Sequence, residues 1–277
     1  QLKQGIDLDI SRSSQPLSSW MLASASLPIK VELNLHGKGV SNRHSKLTAE
    51  MIQLTGGKVE LNGEQCLLSP WVPSLEGAYT VPGDASMTSF AFLATHCLDA
   101  EIELHGWPGV EQAIGHEILF DSAIECGIKW HGGILSNVGS KVSVTLDVTD
   151  SNDILPPLAA LLSLGAGGRI IGAAHAVHKE SNRLSRTVEV LSYFGIQATL
   201  LADGIEVKGN QRPIMPQQPV PTFDYHRLFM TAVLLASKTG GEVIGQTLHH
   251  VADEAFVQRL QDAGVGIEAT TTPSLED

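Results

Sequence analysis

The chain has 277 residues, 43% apolar and 5% aromatic, which suits one large globular domain or two small ones and excludes a disordered tail, a coiled coil or a disulfide mini-protein. Eighteen Lys and Arg against 30 Asp and Glu leave a net charge of -12, so neither nucleic acid nor an anionic membrane is an expected partner, and any anionic ligand needs a local cluster of cations. The cysteines Cys66, Cys97 and Cys126 form no CxxC pair and no apolar run is long enough to span a bilayer, so the expectation is a cytoplasmic chain with buried, reduced thiols. It opens on Gln1 rather than Met, without the layout of a signal peptide, and an upstream part is expected to be missing.

In chain order, an apolar helix is expected around Leu17 to Leu27, followed by the strand-like run KVELNLHG, which ends at Gly37. Next comes an amphipathic helix with Leu47, Met51 and Leu54 at i, i+4 and i+7, hence on one face; it ends at Gly56 and leads into the alternating KVELNG. The same succession returns as an apolar helix from Ser86 to Leu98, AEIELHG ending at Gly106, Leu119, Ala123 and Cys126 on one face, and then Gly127. It returns again as Pro156 to Leu164, GGRIIG ending at Gly172, Leu184, Val188 and Leu191, and Gly195. The last round is Arg227 to Ser237, GGEVIG ending at Gly245, Phe256, Leu260 and Ala263, and Gly264. The helix-ending glycines are 71, 68 and 69 residues apart and the strand-ending ones 69, 66 and 73. Such a period predicts a repeat architecture, here an α/β fold of four βαβαββ-like units in which the apolar helices are buried. Proline-rich Gln211 to Pro221 is the clearest connection between units and Leu67 to Gly83 the second.

Chemistry is expected in the polar loops that enter the apolar helices, because free N–H groups and the helix dipole favour anions there. These loops read SRSSQ (Ser11 to Gln15), PGDASMTS (Pro82 to Ser89), SNDILPP (Ser151 to Pro157) and DYHR (Asp224 to Arg227). A fifth segment, HAVHKESNRLSR, gathers Lys179, Glu180, Arg183 and Arg186 at a helix entry. Lys179 and Arg183 share a helical face, and Arg183 can grip a carboxylate or phosphate with a fork of N–H donors; a solvated helix start with surface ion pairs is the competing reading. From its position alone Asp153 reads first as a helix cap, and Ser13, Ser14 and Gln15 can be turn and cap residues. His175 with His178, and His249 with His250, lack a third ligand at a recognised spacing, so no metal is expected. No Walker loop, GxGxxG or GxSxG motif calls for a nucleotide or an acyl-transfer site, and no cofactor is expected.

The segments GDASMTSFAFLA, HKESNRL and YHRLFMTAVLLAS, with SSQ upstream and ND ahead of a proline-capped apolar helix, resemble in order and spacing the 5-enolpyruvylshikimate-3-phosphate synthase (3-phosphoshikimate 1-carboxyvinyltransferase) family. The resemblance runs from about Ile10 to the C-terminus. It implies a fold of six βαβαββ units, three per domain, in an inside-out α/β barrel arrangement, of which this chain carries four. On that scheme residues 1–75 are the last unit of an incomplete first domain, and 76–277 form a complete three-unit domain divided at about 76–148, 149–210 and 211–277. The isolated first unit is then expected to expose surface and to self-associate.

The implied reaction of the shikimate pathway moves the enolpyruvyl group of phosphoenolpyruvate to the 5-hydroxyl of shikimate 3-phosphate. It needs a base for the hydroxyl, an acid for the methylene carbon and cations for a carboxylate and two phosphates. By resemblance, Ser13, Ser14 and Gln15 contact shikimate 3-phosphate, and Ser41 is a further phosphate contact. Asp153 matches the catalytic carboxylate, Lys179 and Glu180 the pair for binding and proton transfer, and Arg183 and Arg227 the clamp on phosphoenolpyruvate.

The chain departs from the family pattern at His44, at His175, at Asn182 and Tyr225, where Asp is usual, and at Val251, where a lysine is usual. These departures keep a second function open, a non-catalytic relative that binds a phosphorylated ligand or a protein on the same scaffold. A carboxyvinyl transferase acting on a UDP-sugar shares the fold, but SSQ, KESNRL and YHR point to the shikimate branch.

Overall fold

A computed structural model describes residues 5–11, 13–37, 39, 42–107, 113–174 and 182–270. Two compact units emerge: Gln1–Ala85 with Gly106–Glu117 and Thr149–Ser151, and Ser86–His105 with Ile118–Val148 and Asn152–Asp277.

The first unit is one complete βαβαββ repeat: β1 (Gly5–Asp9), α1 (Gln15–Ala23), β2 (Val31–His36), α2 (Asn42–Leu54), β3 (Val59–Asn62) and β4 (Gln65–Leu68). β1 lies parallel to β2, β2 antiparallel to β4 and β4 antiparallel to β3, so the sheet order is β1-β2-β4-β3. Strand alternation gives this sheet one apolar face, where Val31, Leu33, Leu35, Cys66 and Leu68 pack with Leu17, Met21 and Ile52 of the two helices. Its other face is polar: the Asn34 amide and the His36 ring each contact Asp7 Oδ1, and Gln65 donates to Glu32 at 3.0 Å.

Two expectations about this unit need correction. The α2 residues that turn inward are Ser45, Ala49 and Ile52, not Leu47, Met51 and Leu54, and Leu54 is 48% exposed. The cause is the close approach of α1, bridged by a 3.0 Å bond from Thr48 to Ser18; small side chains face that neighbour, so the largest apolar residues mark the wrong stripe. Nor is α1 buried all round, since only Leu17 and Met21 are.

The second unit repeats the topology. Its strands β8 (Val144–Asp147), β9 (Gly167–Ile171), β10 (Ala198–Leu200) and β11 (Ile205–Lys208) run in the order β8-β9-β11-β10, with β8 parallel to β9. The repeat before it keeps β5 (Ile102–Glu103), β6 (Ile128–His131) and β7 (Ile134–Asn137) in the order β5-β7-β6, the same pattern without its first strand among the described residues. In the last repeat the parallel pair shrinks to a single bridge between Val220 and Val243. The strand expected from GGEVIG is therefore absent among the described residues, and AEIELHG yields only a two-residue strand. The parallel pair of the third repeat thus begins at Val144.

At the centre of this unit lie the apolar helices α3 (Thr88–Leu98), α5 (Leu155–Leu164) and α7 (His226–Thr239), which pack on one another. Leu155 to Ser163 of α5 are buried without exception, as expected for a helix apolar on every side. Around them run α6 (Arg183–Tyr193), which buries Leu184, Val190 and Leu191, and α8 (Phe256–Asp262), which buries Phe256 and Leu260. The expected helix ahead of Gly127 is shorter, with α4 covering Glu117–Asp121 and looser turns reaching the glycine, yet Leu119, Ala123 and Cys126 all point inward.

All eight landmark glycines adopt positive φ, from 69° at Gly106 to 119° at Gly245. A left-handed residue stops a helix or turns a strand, and only glycine takes it at little cost, so the beat read in the sequence is a beat of chain reversals. Among the described residues no helix is long and apolar enough to cross a membrane.

Candidate functional site

The second unit gathers the start of α6 and the entries of its three buried helices. Ser86 lies in the 3-10 turn that enters α3, and Asn152 and Asp153 lie in the Asn152–Ile154 turn that enters α5 behind Pro156. Arg183 opens α6 behind the N-cap Asn182, whose side chain accepts the Ser185 N–H at 3.2 Å. Tyr225 caps α7 and Arg227 is that helix's second residue.

Hydrogen bonds tie these starts together. Arg227 donates from Nη1 to Ser86 Oγ at 3.0 Å and from Nη2 to Asp153 Oδ2 at 3.1 Å. Arg183 donates from Nη1 to Asn152 Oδ1 at 2.6 Å, and its guanidinium carbon sits 4.9 Å from the centre of the Tyr225 ring. Both arginines are 8% exposed, although neither can shed its charge. Two buried guanidinium groups among helix N-termini, with the carboxylate of Asp153 beside one of them, form a region suited to a phosphate or carboxylate.

The turn ahead of α7 is strained. Phe223 and Asp224 both have φ of 53°, a left-handed conformation that costs a non-glycine residue about 1–2 kcal/mol. It is held by the Thr222 hydroxyl, which donates to the Ile244 carbonyl at 2.7 Å, by the Tyr225 N–H on the Thr222 carbonyl at 3.0 Å, and by Arg186, 4.0 Å above the Phe223 ring.

Of the residues expected to act, Asp153, Arg183 and Arg227 are thus gathered in this unit. Ser13, Ser14 and Gln15 belong to the first unit, at the start of α1, where the Gln15 N–H donates to Ser13 Oγ at 3.2 Å and Ser14 is the N-cap residue without a side-chain cap bond. Ser41, Lys179, Glu180 and His175 lie outside the described residues. Arg43, beside Ser41, is ion-paired with Glu117. Val251 is 79% exposed at the end of the 3-10 turn Leu248–Val251, in which His249 is buried and stacked on Phe229 with ring centres 5.5 Å apart.

Sequence reasoning did not name Ser86, Asn152, Phe223 or Tyr225 as partners of the arginines. Ser86, Asn152 and Tyr225 fall in loops read as polar helix entries and Phe223 just precedes one, but contacts spanning 31 and 141 residues, such as Arg183 with Asn152 and Arg227 with Ser86, follow only from the stacking of repeats.

The sequence profile of EPSP synthase (3-phosphoshikimate 1-carboxyvinyltransferase) matches residues 1–260. The chain belongs to this family. A 3-phosphoshikimate 1-carboxyvinyltransferase of Thermococcus kodakarensis is 30% identical over 87% of this chain and 59% of its own length. One from Korarchaeum cryptofilum is 28% identical over 96% of the chain and 63% of its own length. The chain therefore spans about three-fifths of the length of these EPSP synthase relatives. Among solved structures, the EPSP synthase of Acinetobacter baumannii superposes with a TM-score of 0.72 over 98% of this chain and 65% of that one, at 21% identity, and so speaks for the shared fold.

Proposed function

We propose that the chain carries part of the machinery for carboxyvinyl transfer from phosphoenolpyruvate to shikimate 3-phosphate, in the cytoplasm, with the rest of the relatives' length supplied by another segment or chain. The observation that carries this reading is the pair of buried arginines, Arg183 and Arg227, anchored to Asn152 and Asp153 at the helix entries of a chain of this family.

In this reading Arg183 and Arg227 hold the phosphoenolpyruvate anion, a role that suits guanidinium forks in a water-poor setting. Ser13, Ser14, Gln15 and Ser41 contact shikimate 3-phosphate. The 5-hydroxyl oxygen bonds to C2 of phosphoenolpyruvate, its proton passing to a base, while C3 takes a proton from an acid; Asp153, Lys179 and Glu180 share these roles. The resulting tetrahedral adduct then loses a C3 proton and inorganic phosphate, which restores the double bond. Arg227, bound to Asp153, fixes the direction of that carboxylate.

The domain scheme belongs to the same reading, with residues 1–75 the last repeat of one domain and 76–277 the three repeats of the other. Exposed Leu22, Ile29 and Leu54 of the first unit give the chain alone a surface for self-association.

Calorimetry tests the reading. Phosphoenolpyruvate titrated into the chain with shikimate 3-phosphate present should release heat that Arg183→Ala and Arg227→Ala abolish. Absence of heat with the product of the full reading frame, or heat from both variants equal to that of the parent, overturns it. Binding without turnover selects the non-catalytic relative instead.

A further inference from the structure

Two successive arginines of α6 each sit on an aromatic ring of the strained turn ahead of α7. Arg183 and Arg186 are three apart, hence neighbours on one helical face; the first lies 4.9 Å from the centre of Tyr225 and the second 4.0 Å from that of Phe223. The rings flank Asp224: Phe223 shares its left-handed conformation, whereas Tyr225, the N-cap residue of α7, is extended. Strain of this kind persists where the surroundings hold it, and it clusters at functional sites. Here the surroundings are those two guanidinium groups and the hydroxyl of Thr222, which is itself buried.

The geometry points to Tyr225 and Phe223 as positioning residues that brace the start of α6 against the start of α7, so that Arg183 and Arg227 address one anion. The Tyr225 ring face holds the Arg183 guanidinium without consuming its N–H donors, whereas an acidic side chain in its place would draw on them and offset the charge; Arg186, which also donates to Glu189 at 2.6 Å, serves to hold Phe223. Arg183 is tied through Nη1 to Asn152 while Arg227 reaches the adjacent Asp153, so the brace governs how far apart two arginines sit that are anchored to consecutive residues. Phe223 carries no acid, base or nucleophile, and Tyr225 serves here by its ring face rather than its hydroxyl; both act through the arginines.

The inference rests on the proposed function for its ligand, phosphoenolpyruvate, and its test separates the two. With the product of the full reading frame, the arginine side-chain N–H resonances of Arg183 and Arg186 should be displaced upfield by the rings. Tyr225→Leu should abolish the displacement at Arg183 and Phe223→Leu that at Arg186. Tyr225→Leu should raise the Kd and KM for phosphoenolpyruvate about tenfold and change kcat less than about threefold, while Tyr225→Phe, which keeps the ring face, stays within about twofold of the parent. Arg186→Gln, at a half-exposed position, should raise KM in the same direction with the fold intact by circular dichroism. Unshifted resonances in the parent, an unchanged Kd in Tyr225→Leu, or a Tyr225→Phe variant as weak as Tyr225→Leu would overturn the inference. Failure of the parent to bind phosphoenolpyruvate at all overturns the proposed function, and with it the ligand given to the brace, while the resonances still decide whether the brace exists.

Discussion

Arg227 donates from Nη2 to Asp153 Oδ2 at 3.1 Å, so the proposed clamp and the proposed catalytic carboxylate are bound to each other before any substrate arrives. The carboxylate then competes with an incoming anion for the same guanidinium. Asp153→Asn keeps the shape and removes the charge, and is expected to bind inorganic phosphate about three- to tenfold more tightly by calorimetry while losing about 100-fold or more in turnover. Weaker phosphate binding in Asp153→Asn would mean that the carboxylate orients Arg227 more than it blocks it.

The glycine beat can be tested by separating backbone strain from crowding. Gly264 follows α8 and Gly127 closes the turns after α4, both at positive φ, but a Cβ on Gly264 meets nothing within 4 Å, whereas one on Gly127 would lie 2.6 Å from the Ser140 nitrogen. Gly264→Ala should cost about 1 kcal/mol in urea denaturation, from strain alone, and Gly127→Ala about 1–3 kcal/mol more. Equal losses would show that the Ser140 loop yields freely.

Acid should weaken the fold through two imidazoles. Burial, followed by the nearby Lys238 for His96 and His250 for His249, pushes both below the ordinary histidine value. Below about pH 6.5 the unfolded chain takes up protons that these native imidazoles refuse, so stability present at neutral pH is lost on acidification until the native groups titrate too. Denaturation midpoints from pH 7.5 to 5 should fall, and His249→Phe, which retains an aromatic partner for Phe229, should flatten the slope. A slope unchanged in that variant would assign the acid sensitivity elsewhere.

The thiols should be silent in the native state. Burial pushes Cys66 and Cys126 up to about 11 and Cys97 to about 12, far from the thiolate needed for attack. Iodoacetamide at pH 8 should leave all three unmodified by mass spectrometry in buffer and label all three in guanidinium chloride. Fast native labelling of Cys66 would show that the first unit opens.

How much of this was legible in the sequence depended on range. Gly56, Gly127, Gly195 and Gly264 could be placed because a left-handed helix end is a local demand on one residue, and all four take it. Leu119, Ala123 and Cys126 revealed the inward stripe even where the helix proved short, since burial follows spacing more faithfully than hydrogen bonding does. The stripe of α2 was misread because its inner face belongs to Ser45 and Ala49, chosen for close approach rather than for apolar area. The strand at 240–245 was misread because the last repeat keeps only the Val220–Val243 bridge. In the site, single residues could be proposed from their loops, but the pairing of Arg227 with Asp153 joins positions 74 apart, which only the stacked repeats bring together.

The most direct test of the central claim is release of inorganic phosphate from phosphoenolpyruvate by the product of the full reading frame that contains this chain. The account predicts release that requires shikimate 3-phosphate and that falls about 100-fold or more in Arg183→Ala and in Asp153→Asn. Release that ignores shikimate 3-phosphate, or that survives both substitutions, would contradict it.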